Sequence, residues 1–189
     1  MSNHNTTDKV SFGFWAYLMS DAVLFAGLFA TYAVLQGQVF GGYGIGDIVD
    51  IPFVAVESVL LLASSFTIGL ALLAARHGKR ALALSALLIT LALGLGFLGM
   101  EVHEFAALIG EGQGPDKSAF LSAFFTLLGT HGLHVALGSL WMVVLMAHIA
   151  FKGLTEGVLR KLTCLALFWH FLDVIWIFIF TIVYMLGAL

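Results

Sequence analysis

Residues 118–151 read SAFLSAFFTLLGTHGLHVALGSLWMVVLMAHIAF, and this stretch decides the fold. It contains no Asp, Glu, Lys or Arg, and it is longer than the roughly 20 apolar residues that a helix needs to cross about 30 Å of hydrocarbon. A water-soluble domain of this size could not bury such a segment within a chain that is 61% hydrophobic and only 10% charged. The stretch therefore predicts a transmembrane helix, and the composition predicts a membrane protein.

The charged residues elsewhere in the chain fall in clusters, and the apolar stretches between the clusters predict the remaining helices. We expect an all-α fold, a single transmembrane domain over residues 1–189 built as a bundle of five membrane-spanning helices. The expected helices cover about Trp15–Leu35, Phe53–Ala75, Ala81–Ile109, Ser118–Phe151 and Leu162–Leu186.

The connections between these helices carry recognisable signals. Asp50 followed by Pro52 is typical of a helix start, because an Asp side chain caps free N–H groups and Pro lacks an N–H that the first turn cannot use. Residues 76–80 predict a very short basic turn, and residues 152–161 predict a second basic loop. A Gly-rich loop is expected over residues 37–52.

The basic residues also predict how the chain is oriented in the membrane. With the N-terminus in the cytoplasm, only Lys117 falls in an outside segment. The inside segments then hold Lys9, Arg76, Lys79, Arg80, Lys152, Arg160 and Lys161. Since Lys and Arg accumulate in cytoplasmic loops, this bias predicts a cytoplasmic N-terminus and a periplasmic C-terminus.

Some function classes receive no support from the sequence. The net charge is −3 and there is no basic cluster of the kind that binds nucleic acid. Cys164 is the only cysteine, so no intrachain disulfide can form. Residues 1–9 lack the features of a cleaved signal peptide, and we expect the first apolar stretch to be retained as a helix.

Several ionisable side chains are predicted to lie inside the membrane, where each costs on the order of 3 kcal/mol or more and needs a partner. Three interpretations of these side chains compete, namely ligation, translocation of protons or ions, and interhelical hydrogen bonding. The set comprises Asp21, Glu57, Glu101, His131, His134, His170 and Asp173.

Two pairs in this set are three residues apart and therefore share a helix face. His131 and His134 lie near the middle of the fourth predicted helix, and His170 and Asp173 near the middle of the fifth. The members of the second pair can hydrogen-bond along their own helix, or each can reach a neighbouring helix.

Other positions are expected nearer the membrane boundaries. Glu101, His103 and Glu104 fall at the end of the third predicted helix, where we expect water to reach them. Trp15 and Trp169 are expected near the inner boundary, as members of an aromatic belt.

Ligation is one interpretation of the histidines. A cytochrome b-like bundle would hold haem iron between His170 and either His131 or His134. The His-x-x-His spacing of residues 131–134 offers a metal ion at most two ligands. We assign no catalytic residue, no cofactor-binding residue and no metal ligand.

Two further interpretations concern the carboxyl groups. Asp21, Glu57 and Asp173 could translocate protons or ions, although the chain has neither the broken helices nor the matched halves that many carriers show. Alternatively, the polar groups satisfy one another and tie helices together through interhelical hydrogen bonds. The residues by themselves leave these interpretations open.

Four motifs carry a resemblance to a known family. They are FWAYLMSD at residues 14–21, GMEVHEF at 99–105, GTHGLHV at 129–135 and WHFLDVIW at 169–176. From about residue 12 to residue 189 the chain resembles subunit III of the haem–copper terminal oxidases. Members of the cytochrome c oxidase type usually have seven helices. The five-helix pattern is similar to subunit III of the bacterial cytochrome o (bo-type) ubiquinol oxidases.

The resemblance implies a subunit without haem, copper or quinone chemistry of its own. It implies direct packing against oxidase subunit I, which would hold the haems and copper, and membership of a complex that also contains subunits II and IV. It implies a bacterial inner (plasma) membrane location, a lipid-filled cleft with bound phospholipid, and a family glutamate at Glu57. It also implies that His131, His134, His170 and Asp173 occupy buried polar positions of the family, with structural or lipid-headgroup roles. The implied role is to support the assembly, stability and sustained proton uptake of subunit I during electron transport from quinol to oxygen.

Three alternatives stay beside this interpretation. They are a free-standing proton-linked carrier that uses Glu57 and Asp173, subunit III of a cytochrome c oxidase, and a cytochrome b-like electron carrier. The electron donor, whether ubiquinol, menaquinol or cytochrome c, is not encoded in this chain because its site would lie on other subunits.

Overall fold

The computed structural model describes residues 2–37 and 50–186, with side chains from residue 12 onward. These residues form five long α-helices, each of which contains a segment long and apolar enough to cross a membrane. The helices are α1 (Ser2–Leu35), α2 (Ile51–Arg76), α3 (Arg80–Gly110), α4 (Ala119–Lys152) and α5 (Glu156–Ile179). The predicted all-α architecture is confirmed, with five helices that are long and apolar enough to span a membrane.

Four of the helices close into a bundle. α2 packs most extensively on α3, α3 on α4, α4 on α5, and α5 back on α2. α1 lies outside this ring, mainly against α4 with a smaller contact to α5. The interior is filled by aromatic rings, while the outer surface carries large apolar side chains such as Phe66 (69% exposed) and Leu133 (59% exposed). A surface of this kind is suited to hydrocarbon rather than to water.

We name the two ends of the bundle by their connections. The basic end contains the turns at residues 77–79 and 153–155, and the acidic end contains the connection at residues 111–118. At the basic end the predicted short turn is present, and Gly78 adopts φ +71°, a left-handed conformation that Gly reaches without steric cost. The Arg80 side chain donates to the backbone carbonyl of Ala150, which ties this turn to the last part of α4.

The start of α5 corrects the prediction. The helix begins at Glu156 rather than at Leu162, so the expected basic loop over residues 152–161 shrinks to residues 153–155. The reason is local: the Thr155 hydroxyl accepts a hydrogen bond from the Val158 N–H at 3.3 Å, and Glu156 places negative charge in the first turn. The charged stretch that predicts a loop therefore contains a helix cap, at Thr155.

The start of α2 is close to the prediction, but the capping detail is wrong. Asp50 occupies the N-cap position and Pro52 lies in the first turn, yet the Asp50 side chain makes no capping hydrogen bond. The Asp50 carbonyl accepts from the Val54 N–H at 3.1 Å, the first bond of the helix. The loop predicted over residues 37–52 lies mostly outside the described residues.

α5 does not end as an α-helix. It continues into a π-helical turn over Phe180–Met185, in which the Leu186 N–H donates to the Thr181 carbonyl five residues earlier, at 3.0 Å. This turn buries Val183 and Tyr184 at the acidic end of the bundle. Such turns are rare and often occur at functional positions.

Candidate functional site: polar clusters inside the bundle

The first cluster, which we call the carboxyl cluster, consists of Glu57, Glu101, Glu104 and Tyr184 near the acidic end. Glu57 of α2 is fully buried, and neither of its carboxyl oxygens has a hydrogen-bond partner. The Tyr184 hydroxyl donates to Glu104 Oε2 at 3.3 Å. The three carboxyl groups are close enough to interact electrostatically. In α2–α5 every Lys and Arg lies toward the basic end, so none can neutralise this cluster.

Glu101 corrects the expectation that water reaches it, since its side chain is only 3% exposed. It crosses to α4 and lies against the backbone of Gly132. A Cβ atom at position 132 would stand 2.8 Å from the carboxyl carbon of Glu101, closer than real Cβ atoms approach other groups. Gly132 therefore provides the space in which the Glu101 carboxyl group lies. Glu104 is half-buried and His103 is exposed.

An open pocket of about 190 Å³ lies beside the carboxyl cluster at the acidic end. Glu104 forms part of its wall and belongs to both features. The pocket is lined by Asp50, Phe53, His103, Glu104, Ala107, Leu108 and Glu111.

His131 lies in the middle of the bundle among aromatic rings. It is fully buried, its ring stacks on Trp176 with centroids 5.3 Å apart, and Phe97 presents an edge at 5.8 Å. Neither ring nitrogen has a hydrogen-bond partner. His170 lies on the outer surface of α5, so the structure does not place it opposite His131 as a pair of haem ligands would require. Within residues 2–37 and 50–186, no three His, Cys, Asp or Glu side chains are arranged to hold a metal ion.

A second cluster joins α1 to α4 at Asp21 and His134. The His134 Nδ1 lies 2.7 Å from the Thr130 carbonyl and donates to it, which directs Nε2 toward Asp21 Oδ2 at 3.8 Å. The Tyr17 hydroxyl also hydrogen-bonds to Asp21. One polar contact, between Asp21 and His134, therefore joins α1 to α4 at a depth where many of the surrounding side chains are apolar.

A third cluster joins α2 to α5, and it contains His170 and Asp173. The Ser65 Oγ lies 2.6 Å from His170 Nδ1 and also hydrogen-bonds to the Asp173 carboxyl group. Both members of the predicted pair therefore reach the same serine of the neighbouring helix, and they also interact electrostatically with each other. Ser65 was missed because a single serine in a transmembrane helix carries no distinguishing signal.

Two tryptophans extend the contact between α2 and α5. Trp169 Nε1 donates to Ser64 Oγ at 2.9 Å, and Trp176 Nε1 donates to Ser58 Oγ at 3.0 Å. Trp169 is 1% exposed, so its predicted place in a lipid-facing aromatic belt is wrong. Since an indole N–H needs an acceptor when buried, the serines of α2 provide a signal that sequence analysis could have used.

The predicted site residues thus form separate pairings and do not converge on one centre. Glu57 and Glu101 meet in the carboxyl cluster, while Asp173 lies beside Ser65, about 12 Å further along α2 than Glu57. The arrangement ties each helix to its neighbours through polar contacts in an apolar medium. Tyr184, which joins the carboxyl cluster, was missed because its orientation depends on the π-helical turn.

Comparison with known proteins gives one consistent result. The family model for cytochrome c oxidase subunit III matches residues 2–188. The chain is 54% identical over 186 residues to cytochrome bo(3) ubiquinol oxidase subunit 3 of Pseudomonas aeruginosa. The aligned region covers 98% of this chain and 89% of that protein. It is 43% identical over 193 residues to the protein of the same name from Buchnera aphidicola. That alignment covers 100% of this chain and 94% of the relative.

A relative from a third organism extends the comparison. The chain is 44% identical over 175 residues to quinol oxidase subunit 3 of Bacillus spizizenii, covering 93% of this chain and 86% of that protein. The relatives named as quinol oxidase subunits therefore align with nearly the whole bundle and not with one motif.

Proposed function

Because the chain belongs to the cytochrome c oxidase subunit III family, we propose that it is the non-redox accessory subunit of a proton-pumping respiratory quinol oxidase. The observation that carries this proposal is the 54% identity, over 98% of the chain, to a protein named as a ubiquinol oxidase subunit. As a member of this family it is a multi-pass membrane protein that associates with other oxidase subunits.

The proposed role is structural support of the catalytic subunit. The chain would pack directly against subunit I, in a complex with subunits II and IV, and it would maintain assembly, lipid binding and sustained proton uptake. The haems and copper would lie on subunit I and none on this chain. Support for the structural role comes from the polar clusters, each of which joins neighbouring helices.

The proposed location is the bacterial inner membrane, with the N-terminus in the cytoplasm. The bias of basic residues supports this orientation. Bound phospholipid is part of the proposal, with headgroups near the helix ends.

Purification of the complex through an affinity tag on this chain tests the proposal. We expect the larger oxidase subunits, the haem spectrum and ubiquinol oxidation to copurify with the tag. The chain expressed by itself should bind neither haem nor copper. Recovery of the chain without any oxidase subunit, together with solute transport in liposomes, would instead establish a free-standing carrier.

The carrier alternative receives no support from the geometry. It needs Glu57 and Asp173 on one pathway, whereas the two carboxyl groups belong to separate clusters. Subunit III of a cytochrome c oxidase differs in the electron donor, and assaying the purified complex with quinol and with cytochrome c separates the two.

A further inference from the structure

His170 is an ionisable side chain that faces outward at the middle of the membrane. It lies fourteen residues after the start of α5, about 21 Å along a spanning segment of 30 residues (Glu156–Met185). Asp21, His131 and Asp173 lie at similar depth, but they are buried in the bundle. Among the described residues, His170 is the one ionisable side chain at this depth that is exposed.

The side chain is held in this outward position from behind. Its Nδ1 lies 2.6 Å from Ser65 Oγ, and Ser65, which is 8% exposed, also bonds to Asp173. A hydrogen bond at Nδ1 fixes the ring orientation and directs Nε2 away from the bundle, while the tautomer depends on whether the Ser65 hydroxyl donates or accepts. Nε2 makes no hydrogen bond within the part of the chain that the structure describes.

Other exposed polar groups on the lipid-facing surface are satisfied by their own helices. The hydroxyl groups of Thr31, Thr126 and Thr181 each donate to the carbonyl four residues earlier, at 2.7–2.9 Å. His170 uses Nδ1 for the contact to Ser65, so Nε2 has no comparable hydrogen bond to a carbonyl of its own helix.

Lipid cannot satisfy this nitrogen. Acyl chains offer no hydrogen-bonding group, and the headgroups are about 15 Å from the bilayer centre, beyond the reach of a short imidazole. His170 belongs to an exposed stripe of α5 whose other members are Leu167, Val174 and Ile177, at helical spacing. One polar group within an apolar stripe is typical of a contact between transmembrane helices that is fixed by an interhelical hydrogen bond.

We propose that this α5 stripe packs against a transmembrane helix of another oxidase subunit and that His170 Nε2 hydrogen-bonds to a side chain of that helix. The partner group is a hydroxyl or an amide, because these groups can donate or accept as the His170 tautomer requires. The proposal rests on the proposed function as an oxidase subunit, and it adds the contact surface and its chemistry.

Photo-crosslinking of the assembled complex tests the contact directly. A benzophenone amino acid is placed at position 170 and, as a depth-matched comparison on another face, at position 133 of α4. We expect position 170 to give a covalent product with a different oxidase subunit. Products only with lipid, or only with a second copy of this chain, would overturn the inference.

Paired substitutions test the hydrogen bond itself. We expect His170→Leu to reduce the amount of this chain retained on a tagged catalytic subunit by about 3- to 15-fold, and His170→Gln to stay within about twofold of the unmodified chain. The amount in the membrane before solubilisation is measured by immunoblot, which separates a folding defect from weakened binding. Unchanged retention of His170→Leu would overturn the inference.

The result also distinguishes this inference from the proposed function. If the unmodified chain fails to copurify with any oxidase subunit, the proposed function is wrong. If it copurifies while position 170 crosslinks only to lipid, only the proposed contact surface is wrong.

Discussion

At the scale of single residues, Gly132 and Glu101 depend on each other. A methyl group at position 132 would overlap the Glu101 carboxyl group, whereas at Gly129, one turn earlier, the nearest atom to a new Cβ is 3.8 Å away on Phe105. We expect Gly132→Ala to destabilise the chain by about 1–3 kcal/mol, as overpacking does, and Gly129→Ala to be neutral or slightly stabilising. The temperature at which the chain dissociates from the purified complex measures both. Equal behaviour of the two variants would contradict the packing of Glu101 against Gly132.

Glu57 is the second residue with a specific expectation. Glu57 is fully buried without a hydrogen-bond partner among the described residues, so we expect Glu57→Gln, which keeps a similar volume and adds no buried charge, to leave quinol oxidation and proton pumping nearly intact. Glu57→Ala leaves a cavity, so it should lose about 2–5 kcal/mol and show weaker subunit retention or faster inactivation during turnover. Pumping stoichiometry and retention are measured for both variants. A Gln variant that assembles fully and pumps nothing would defeat this interpretation.

For single side chains, the sequence predicts how deep each one lies in the membrane but not which neighbouring helix it contacts. Hydropathy placed His131 and His134 inside the membrane, but His131 packs among aromatic rings while His134 reaches Asp21 on another helix. Their three-residue spacing leaves an angular difference of about 60°. Which helix each one meets depends on how the bundle is assembled, and that is not encoded locally.

At the scale of helices, the hydrogen bond from Trp169 to Ser64 contributes to the contact between α2 and α5. A double-mutant cycle with Ser64→Ala and Trp169→Phe should give a coupling energy of about 0.6–1.7 kcal/mol. Both side chains are buried, and each substitution removes the hydrogen-bond partner of the other residue. The free energy of unfolding in mixed detergent micelles is the measurement. Ser85 is exposed and bonds to its own helix, so the cycle with Ser85→Ala should be additive within about 0.3–0.5 kcal/mol. Additivity in the Ser64 cycle would contradict the contact.

Helix positions were predicted well where hydrophobicity alone decides them. The observed bounds of α2, α3 and α4 differ from the expected ones by one or two residues, as is usual for helix ends. The differences at α1 and α5 are larger. α1 begins at Ser2 rather than near Trp15, because the polar residues before the apolar stretch continue the same helix. α5 begins six residues before the expected start, because Arg160 and Lys161 lie on the helix and not in a loop. Residues near a membrane boundary can be both charged and helical, so charge marks the boundary without marking the end of the helix.

At the scale of the whole molecule, the distribution of Lys and Arg makes a testable statement about topology. A reporter fused after Leu189 should read periplasmic, and one inserted in the turn at residues 77–79 should read cytoplasmic. Alkaline phosphatase and green fluorescent protein fusions provide opposite readouts at each position. The reverse result at either position would contradict the proposed orientation of the five helices.

A second whole-complex prediction concerns His131. Replacement by Ala removes a fully buried ring that contacts Trp176 and Phe97, so we expect a loss of stability on the order of 2–5 kcal/mol and weaker retention of the subunit. The haem spectrum of the complex should stay unchanged, since no haem ligand is assigned to this chain. Loss of a haem band while the subunit remains bound would contradict the structural role.

The π-helical turn at Phe180–Met185 has a consequence for how this region can vary. A turn of this kind accommodates one residue more than the α-helical turn it replaces, and is equivalent to a single-residue insertion. Removing one residue would let the segment rewind as an α-helix, and because Tyr184 lies within the π-helical turn, its hydroxyl would turn away from Glu104. The contact between Tyr184 and Glu104 therefore depends on the number of residues in this turn as well as on the identity of residue 184.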